Sequence, residues 1–197
     1  MLRFILLTGL YMLGSWYAEA FIAGPSQVTL IWPSAGIAYA AALRYGWRWI
    51  GFIPVAVLLS HAVFVEVPPA FLPFSVLSNT LGALAGAWIV QRSAVVPRLT
   101  VASGFTMMRG GVVMAVVSGG MGTAGLVYAG MVPAQEMWPA LFKWSMGDLL
   151  GIITLAPTLL LVSAPGSDNP DQPRSGDYSP PREKFLWLLE AHIPQRQ

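Results

Sequence analysis

Lys143-Trp144-Ser145-Met146-Gly147-Asp148 puts an ammonium and a carboxylate inside an otherwise apolar run, Met137 to Val162. A charged side chain at membrane depth costs at least about 2.5–3.5 kcal/mol on insertion scales, so it faces a partner or a wet cavity and marks function. On a helix, Trp144, Asp148, Gly151 and Leu155 share one face, as do Gly147, Gly151 and Thr154. Lys143 and Asp148 stand about 140° apart at 3.6 residues per turn, too far round to pair with each other. Each needs a partner elsewhere. Glu19 lies at a matching depth and is the natural ion-pair partner of Lys143, which leaves Asp148 for Asn79, a backbone N–H or a ligand. The chemistry on offer is recognition. No nucleophile stands beside a base, no phosphate-cradling glycine loop precedes a Lys, and no cluster has metal-ligand spacing. The sequence therefore predicts no enzyme, no cofactor and no metal.

Other side chains belong to the same set. Trp32 and Trp144 stand beside the polar residues and can wall a pocket or stack on a ligand. The remaining Trp residues read as interface anchors. Asn79 and His61 can serve a binding site or simply bond across helices and hold them together. Glu19 and Lys143 can pair or snorkel to the outer interface. The candidate ligand-binding residues are Trp32, Pro33, Asn79, Trp144 and Asp148, and Gly82, Gly86, Gly147 and Gly151 are candidates for helix packing.

These groups need a scaffold, and composition says which kind. Of 197 residues, 55% are hydrophobic and only 10% charged, against about a quarter charged in ordinary soluble domains. The runs 20–43, 49–65, 67–91 and 110–135 hold no Asp, Glu, Lys or Arg. A helix needs about 20 apolar residues to cross hydrocarbon. The fold class is all-α, an integral membrane bundle of about six transmembrane helices.

The expected spans are Leu2–Ala23, Pro33–Arg44, Trp49–Val65, Ala70–Val90, one between Val101 and Met131, and Trp138–Val162. In the first, Ala18-Glu19-Ala20 mimics a signal-peptidase site, but bulky Trp16-Tyr17 and a polar stripe of Thr8, Tyr11, Ser15 and Glu19 favour a retained span. Gly24-Pro25-Ser26-Gln27 reads as a turn. The second helix opens at Pro33 and is too short to cross alone, so either irregular backbone over Gln27–Ile31 faces protein or a cavity, or one continuous span is kinked at the proline. Pro54 is expected to kink the third span. Gly82-x-x-x-Gly86 allows a close helix contact in the fourth. Gly119, Gly120, Gly122 and Gly125 make the fifth small-faced and open to a break.

Arg3, Arg44, Arg48, Arg92, Arg98, Arg109 and the tail's basic residues fall on one side of a six-span arrangement, while the alternate turns carry only Glu66 and Glu136. By the excess of Lys and Arg in cytoplasmic loops, both termini are cytoplasmic and the chain crosses its membrane several times. Residues 1–164 form the membrane domain. Residues 165–184, rich in Pro, Asp, Ser and Gly, read as a disordered linker, and 185–197 as a short amphipathic tail or the start of a truncated helix. The Arg residues form no nucleic-acid-binding face, and the chain has no cysteine.

Three blocks resemble the membrane-associated sensor domain of the first type, the MASE family. They are Ile31-Trp32-Pro33-Ser34-Ala35-Gly36-Ile37-Ala38 with Gly46-Trp47-Arg48, Asn79-Thr80-Leu81-Gly82-Ala83-Leu84 with Gly86-Ala87-Trp88, and Lys143 to Gly151 with Ala156-Pro157. The resemblance covers about residues 1–164 and implies a bacterial inner-membrane input domain ahead of a histidine kinase or a diguanylate cyclase. Its recurring positions fall on Trp32, Pro33, Gly36, Asn79, Trp144, Gly147 and Asp148, with Ser34 where the family commonly has proline. Members continue into further spans and an output domain, so this chain reads as truncated and without one. The expected function is a sensory input module, in two-component or cyclic di-GMP signalling, that binds a small ligand in an outward-facing polar cavity. The alternative is a substrate-binding membrane subunit of a small-molecule uptake transporter.

Overall fold

Small side chains decide which helix takes the centre of this bundle. The computed structural model describes residues 1–21, 30–93 and 101–162. The expected turn at Gly24–Gln27, most of the loop before Val101, the 165–184 linker and the 185–197 tail lie outside the described residues. Six α-helices and two single 3-10 turns make up the rest, with no strand among the described residues: α1 (Leu2–Phe21), α2 (Pro33–Tyr45), α3 (Phe52–Val63), α4 (Leu72–Arg92), α5 (Val101–Tyr128) and α6 (Met137–Val162).

The central helix is α2. Every residue from Ser34 to Ala42 is buried, and a helix buried all round needs neighbours on all sides. Its neighbours are α1, α4 and α6. Alanine, glycine and serine make this possible, because small side chains let backbones approach closely where hydrophobic squeezing is absent. Pro33 occupies the first turn, where a missing N–H is no loss. Gly46 ends the helix at φ 80, in the left-handed region, and its N–H returns to the Ala42 carbonyl at 3.0 Å.

The partner pair α4 and α5 is locked by the expected glycines. A Cβ added to Gly82 would lie 2.9 Å from Ser118 Cβ, and one on Gly86 would lie 2.7 Å from the Gly110 carbonyl oxygen. Tyr39 of α2 closes this seam by donating its hydroxyl to the Met107 carbonyl at 2.7 Å.

The outside is the reverse of a soluble protein's. Leu2, Ile5, Leu6, Leu13, Leu58, Phe105, Val116, Phe142 and Leu161 are exposed, whereas the core is dominated by Ala, Gly and Ser. An apolar skin of this extent requires a lipid environment. Three helices, α4, α5 and α6, are long and apolar enough to cross a membrane by themselves. The 13 residues of α2 reach about 20 Å at 1.5 Å rise each, short of a roughly 30 Å hydrocarbon core. Irregular backbone at Leu30–Trp32 leads into α2, and the rest of the expected irregular stretch, 27–29, lies outside the described residues.

Two expectations are corrected. Pro54 falls in the first turn of α3 and not in its interior, so it removes no helical hydrogen bond and produces no mid-helix kink. The glycines of α5 do not break it, for it runs continuously over 28 residues. Its glycines serve as contact surfaces instead.

Candidate ligand site in the bundle

The backbone builds this site before any side chain does. The N–H of Trp32, in the irregular lead-in, donates to the Gly147 carbonyl of α6 at 2.9 Å. A Cβ on Gly151 would overlap the Trp32 carbonyl, and a Cβ on Gly36 would overlap the Gly151 carbonyl. Gly36 and Gly151 are therefore contact points between α2 and α6, and Gly147 is an acceptor. Asp148 follows Gly147 in the chain, so the same seam sets the carboxylate beside Trp32.

Both belong to the lining of one cavity of about 340 Å³. Its wall takes Tyr11, Ser15 and Glu19 from α1, Ser60 and His61 from α3, Ser75 and Asn79 from α4, Leu126 from α5, and Trp144 and Asp148 from α6. Trp32 completes the wall, and turn residues Glu66, Val67 and Met131 line the end nearest the connections α3–α4 and α5–α6. Three carboxylates, those of Glu19, Glu66 and Asp148, contribute to the lining, and neither Lys nor Arg does.

Asp148 is the deepest charge carrier, 1% exposed. Its Oδ2 has no hydrogen-bond partner among the described residues. Ser60 Oγ and His61 Nδ1 on the same wall are likewise buried and unpartnered. Buried polar atoms are nearly always hydrogen-bonded, so three orphans around one cavity call for an explanation. A polar guest is one that fits.

Trp144 is held by a slot. A Cβ on Gly122 would come within 2.5 Å of its ring, so glycine there lets the indole lie against α5. Its Nε1 donates to Ser118 Oγ at 3.2 Å, and Phe71 meets the ring edge-on at 6.3 Å between centroids. The rest of the wall is braced across helices. Tyr11 Oη donates to Asn79 Oδ1 at 2.9 Å, Asn79 Nδ2 donates to the Ser75 carbonyl at 2.9 Å, and His61 Nε2 shares a hydrogen bond with Ser75 Oγ at 2.8 Å. Ser34 ties α2 to α1 through the Tyr11 carbonyl at 2.8 Å and Ser15 Oγ at 3.1 Å.

Against the sequence expectations, Trp32, Asn79, Trp144 and Asp148 do come together, with Glu19 and His61 beside them. Pro33 does not line the cavity; it starts α2. Asn79 bonds to Tyr11 and Ser75 and is not the partner of Asp148. The Glu19–Lys143 ion pair is not formed. Lys143 is exposed and off the cavity wall, whereas Glu19 is half-buried on it, because equal depth says nothing about which way round a helix each residue faces. Sequence reasoning missed Ser60, Ser118 and Phe71, and read Gly122 only as one of several small residues on α5. Ser118 sits in a run of small residues that carries no signal of its own.

The family model described as MASE1 matches residues 1–189. This chain belongs to the MASE1 family. The match runs past residue 164, where the resemblance was expected to stop. MASE1 is a membrane-associated sensory module of signalling proteins, and its members usually occur with signalling output domains. No curated protein and no solved structure matches the chain. The MASE1 assignment accords with the helical membrane bundle seen among the described residues.

Proposed function

We propose that this MASE1 chain is the input module of a bacterial signalling protein and that its cavity takes a small ligand from the periplasmic side of the inner membrane. The observation that carries the reading is Asp148, buried in the bundle with one carboxylate oxygen unpartnered on the wall of a cavity. Placing an unsatisfied carboxylate at membrane depth is expensive for a fold that needs only stability, so a role in recognition accounts for its presence.

The orientation rests on charge. The turns that supply Glu66 and Met131 to the cavity are free of Lys and Arg. Arg3, Arg44, Arg48 and Arg92 lie near helix ends at the opposite side, where Arg3 stacks over Tyr45 at 5.8 Å and Arg92 over Trp88 at 4.3 Å. The positive-inside rule then puts both termini in the cytoplasm in a multi-pass arrangement. We assign residues 1–164 to the membrane part of the sensor, 165–184 to a cytoplasmic linker and 185–197 to a short amphipathic tail or the start of a truncated helix, within a family match that runs to residue 189.

The α2–α6 seam is the element that a ligand biases. Trp32 and Asp148 both face the cavity, and their backbones are joined through Gly147. A guest that binds one seam geometry better than another shifts the population between them, and α6 carries the shift toward the linker. The recipient is a histidine kinase or diguanylate cyclase output domain or chain, hence two-component or cyclic di-GMP signalling.

The test is a fusion of this chain to such an output domain with a transcriptional or cyclic di-GMP readout. Asp148→Asn and Trp144→Ala should each abolish the signal-dependent change while the protein still inserts and accumulates. Intact responses in both variants would sink the cavity reading.

A further inference from the structure

We propose that the occupant of this cavity is a small organic cation, an ammonium with an apolar body. The inference rests on the sensory cavity of the preceding section and adds the ligand's chemical class. Three features of the wall converge on it. Glu19, Glu66 and Asp148 put carboxylates on the lining and no Lys or Arg offsets them, so the enclosed space carries a field that favours positive charge. Oδ2 of Asp148 is buried and unpartnered there, and the one basic side chain near it in sequence, Lys143, is exposed and does not line the wall. No cation of the chain lines the wall with Asp148, and a guest can bring one.

The aromatic content selects the kind of cation. Trp32 and Trp144 line the same space as Asp148, and Trp faces attract cations most strongly among side chains. A bare metal ion would want several converging oxygen or nitrogen ligands, and among the described residues no group of His, Cys, Asp and Glu is placed to hold one. The volume, about 340 Å³, lies at the small end of ligand pockets and suits an alkylammonium. A phosphate-bearing guest would meet the acidic rim unfavourably, so a free amine fits better than a zwitterionic lipid headgroup.

The experiment uses the whole chain in nanodiscs of phosphatidylglycerol, which bears no ammonium group. It is titrated with choline, with the neutral isostere in which a tert-butyl group replaces trimethylammonium, and with a carboxylate of the same shape, following Trp fluorescence and thermal stability. Choline should bind at least about tenfold more tightly than the neutral isostere, and the carboxylate should not bind. Asp148→Asn should erase the preference. Glu19→Gln, on the half-buried rim, should reduce it severalfold at unchanged melting temperature. Addition of phosphatidylethanolamine should leave choline binding intact; competition by that lipid would assign the same ammonium chemistry to a headgroup. Equal or tighter binding of the neutral isostere or the carboxylate overturns the inference, as does absence of saturable choline binding. Asp148-dependent binding of the neutral isostere would overturn the cation alone and leave the sensory cavity standing, whereas that cavity fails on the fusion test.

Discussion

The N–H of Trp32 reaches across to the carbonyl oxygen of Gly147 at 2.9 Å, joining the lead-in of α2 to the middle of α6. An amide without a partner in the hydrocarbon region costs several kcal/mol, so irregular backbone at this depth persists only where something satisfies it. Here the neighbouring helix does, and glycine at 147 and 151 brings it near enough. The Trp-Pro and Lys-Trp-Ser-Met-Gly-Asp segments, more than a hundred residues apart in sequence, are thereby two halves of one joint. Asp148 is positioned by that joint.

Gly151→Ala should break it. The new methyl group would overlap the Trp32 carbonyl, and overpacking of this kind costs about 1–3 kcal/mol. Thermal unfolding in detergent should drop accordingly, with loss of signalling in the fusion. Gly9→Ala on α1, where an added Cβ meets nothing within 4 Å, should be neutral or slightly stabilising.

Asp148→Asn should separate function from stability. The amide keeps the shape and removes a buried, partly unpartnered carboxylate, so the melting temperature should hold or rise while the signal response disappears. A burdened site of this sort is expected where activity is selected over stability. A clear fall in melting temperature with the response preserved would mark Asp148 as a structural residue.

Tyr11→Phe deletes the hydroxyl that donates to Asn79 at 2.9 Å. Double-mutant cycles within membrane bundles give couplings of about 0.6 kcal/mol, reaching about 1.7 kcal/mol. A Tyr11→Phe and Asn79→Ala cycle, read by denaturant titration of helicity, should fall in that interval. Coupling near zero would mean the bond contributes nothing to holding α1 on α4.

Gly122→Ala tests the slot behind Trp144. A Cβ there would lie within 2.5 Å of the indole, so the ring must swing into the cavity and give up its bond to Ser118. Ligand affinity should fall about tenfold or more, corresponding to at least about 1.4 kcal/mol, with the bundle otherwise folded. Unchanged binding by calorimetry would show that the ring's position does not matter.

The absence of cysteine makes topology directly measurable. A single cysteine at position 66 should react with a membrane-impermeant maleimide added to intact cells, and one at position 47 should react only after the membrane is opened. The reverse pattern would invert the bundle and close the cavity to the periplasm.

What the residue order alone determined is everything that depends on depth. Apolar runs interrupted by Gly and Pro set the number and limits of the helices, because hydropathy is a local property and each helix satisfies its own backbone. The isolated carboxylate in Met137–Val162, with Trp32 and Trp144 near the same level, was enough to name much of the cavity wall. What only the tertiary structure decided is azimuth. Spacing says which residues of one helix share a face, as in the Thr8, Tyr11, Ser15 and Glu19 stripe of α1, but not how that face is turned toward another helix. Glu19 and Lys143 could therefore look paired, although Lys143 lies exposed off the wall that Glu19 lines. For the same reason Ser118 was silent, and Gly122 was only one small residue among several, until α5 was set against α6. The contacts that define the site are backbone to backbone and ring to glycine. Their geometry exists only after two helices approach within a methyl group's width.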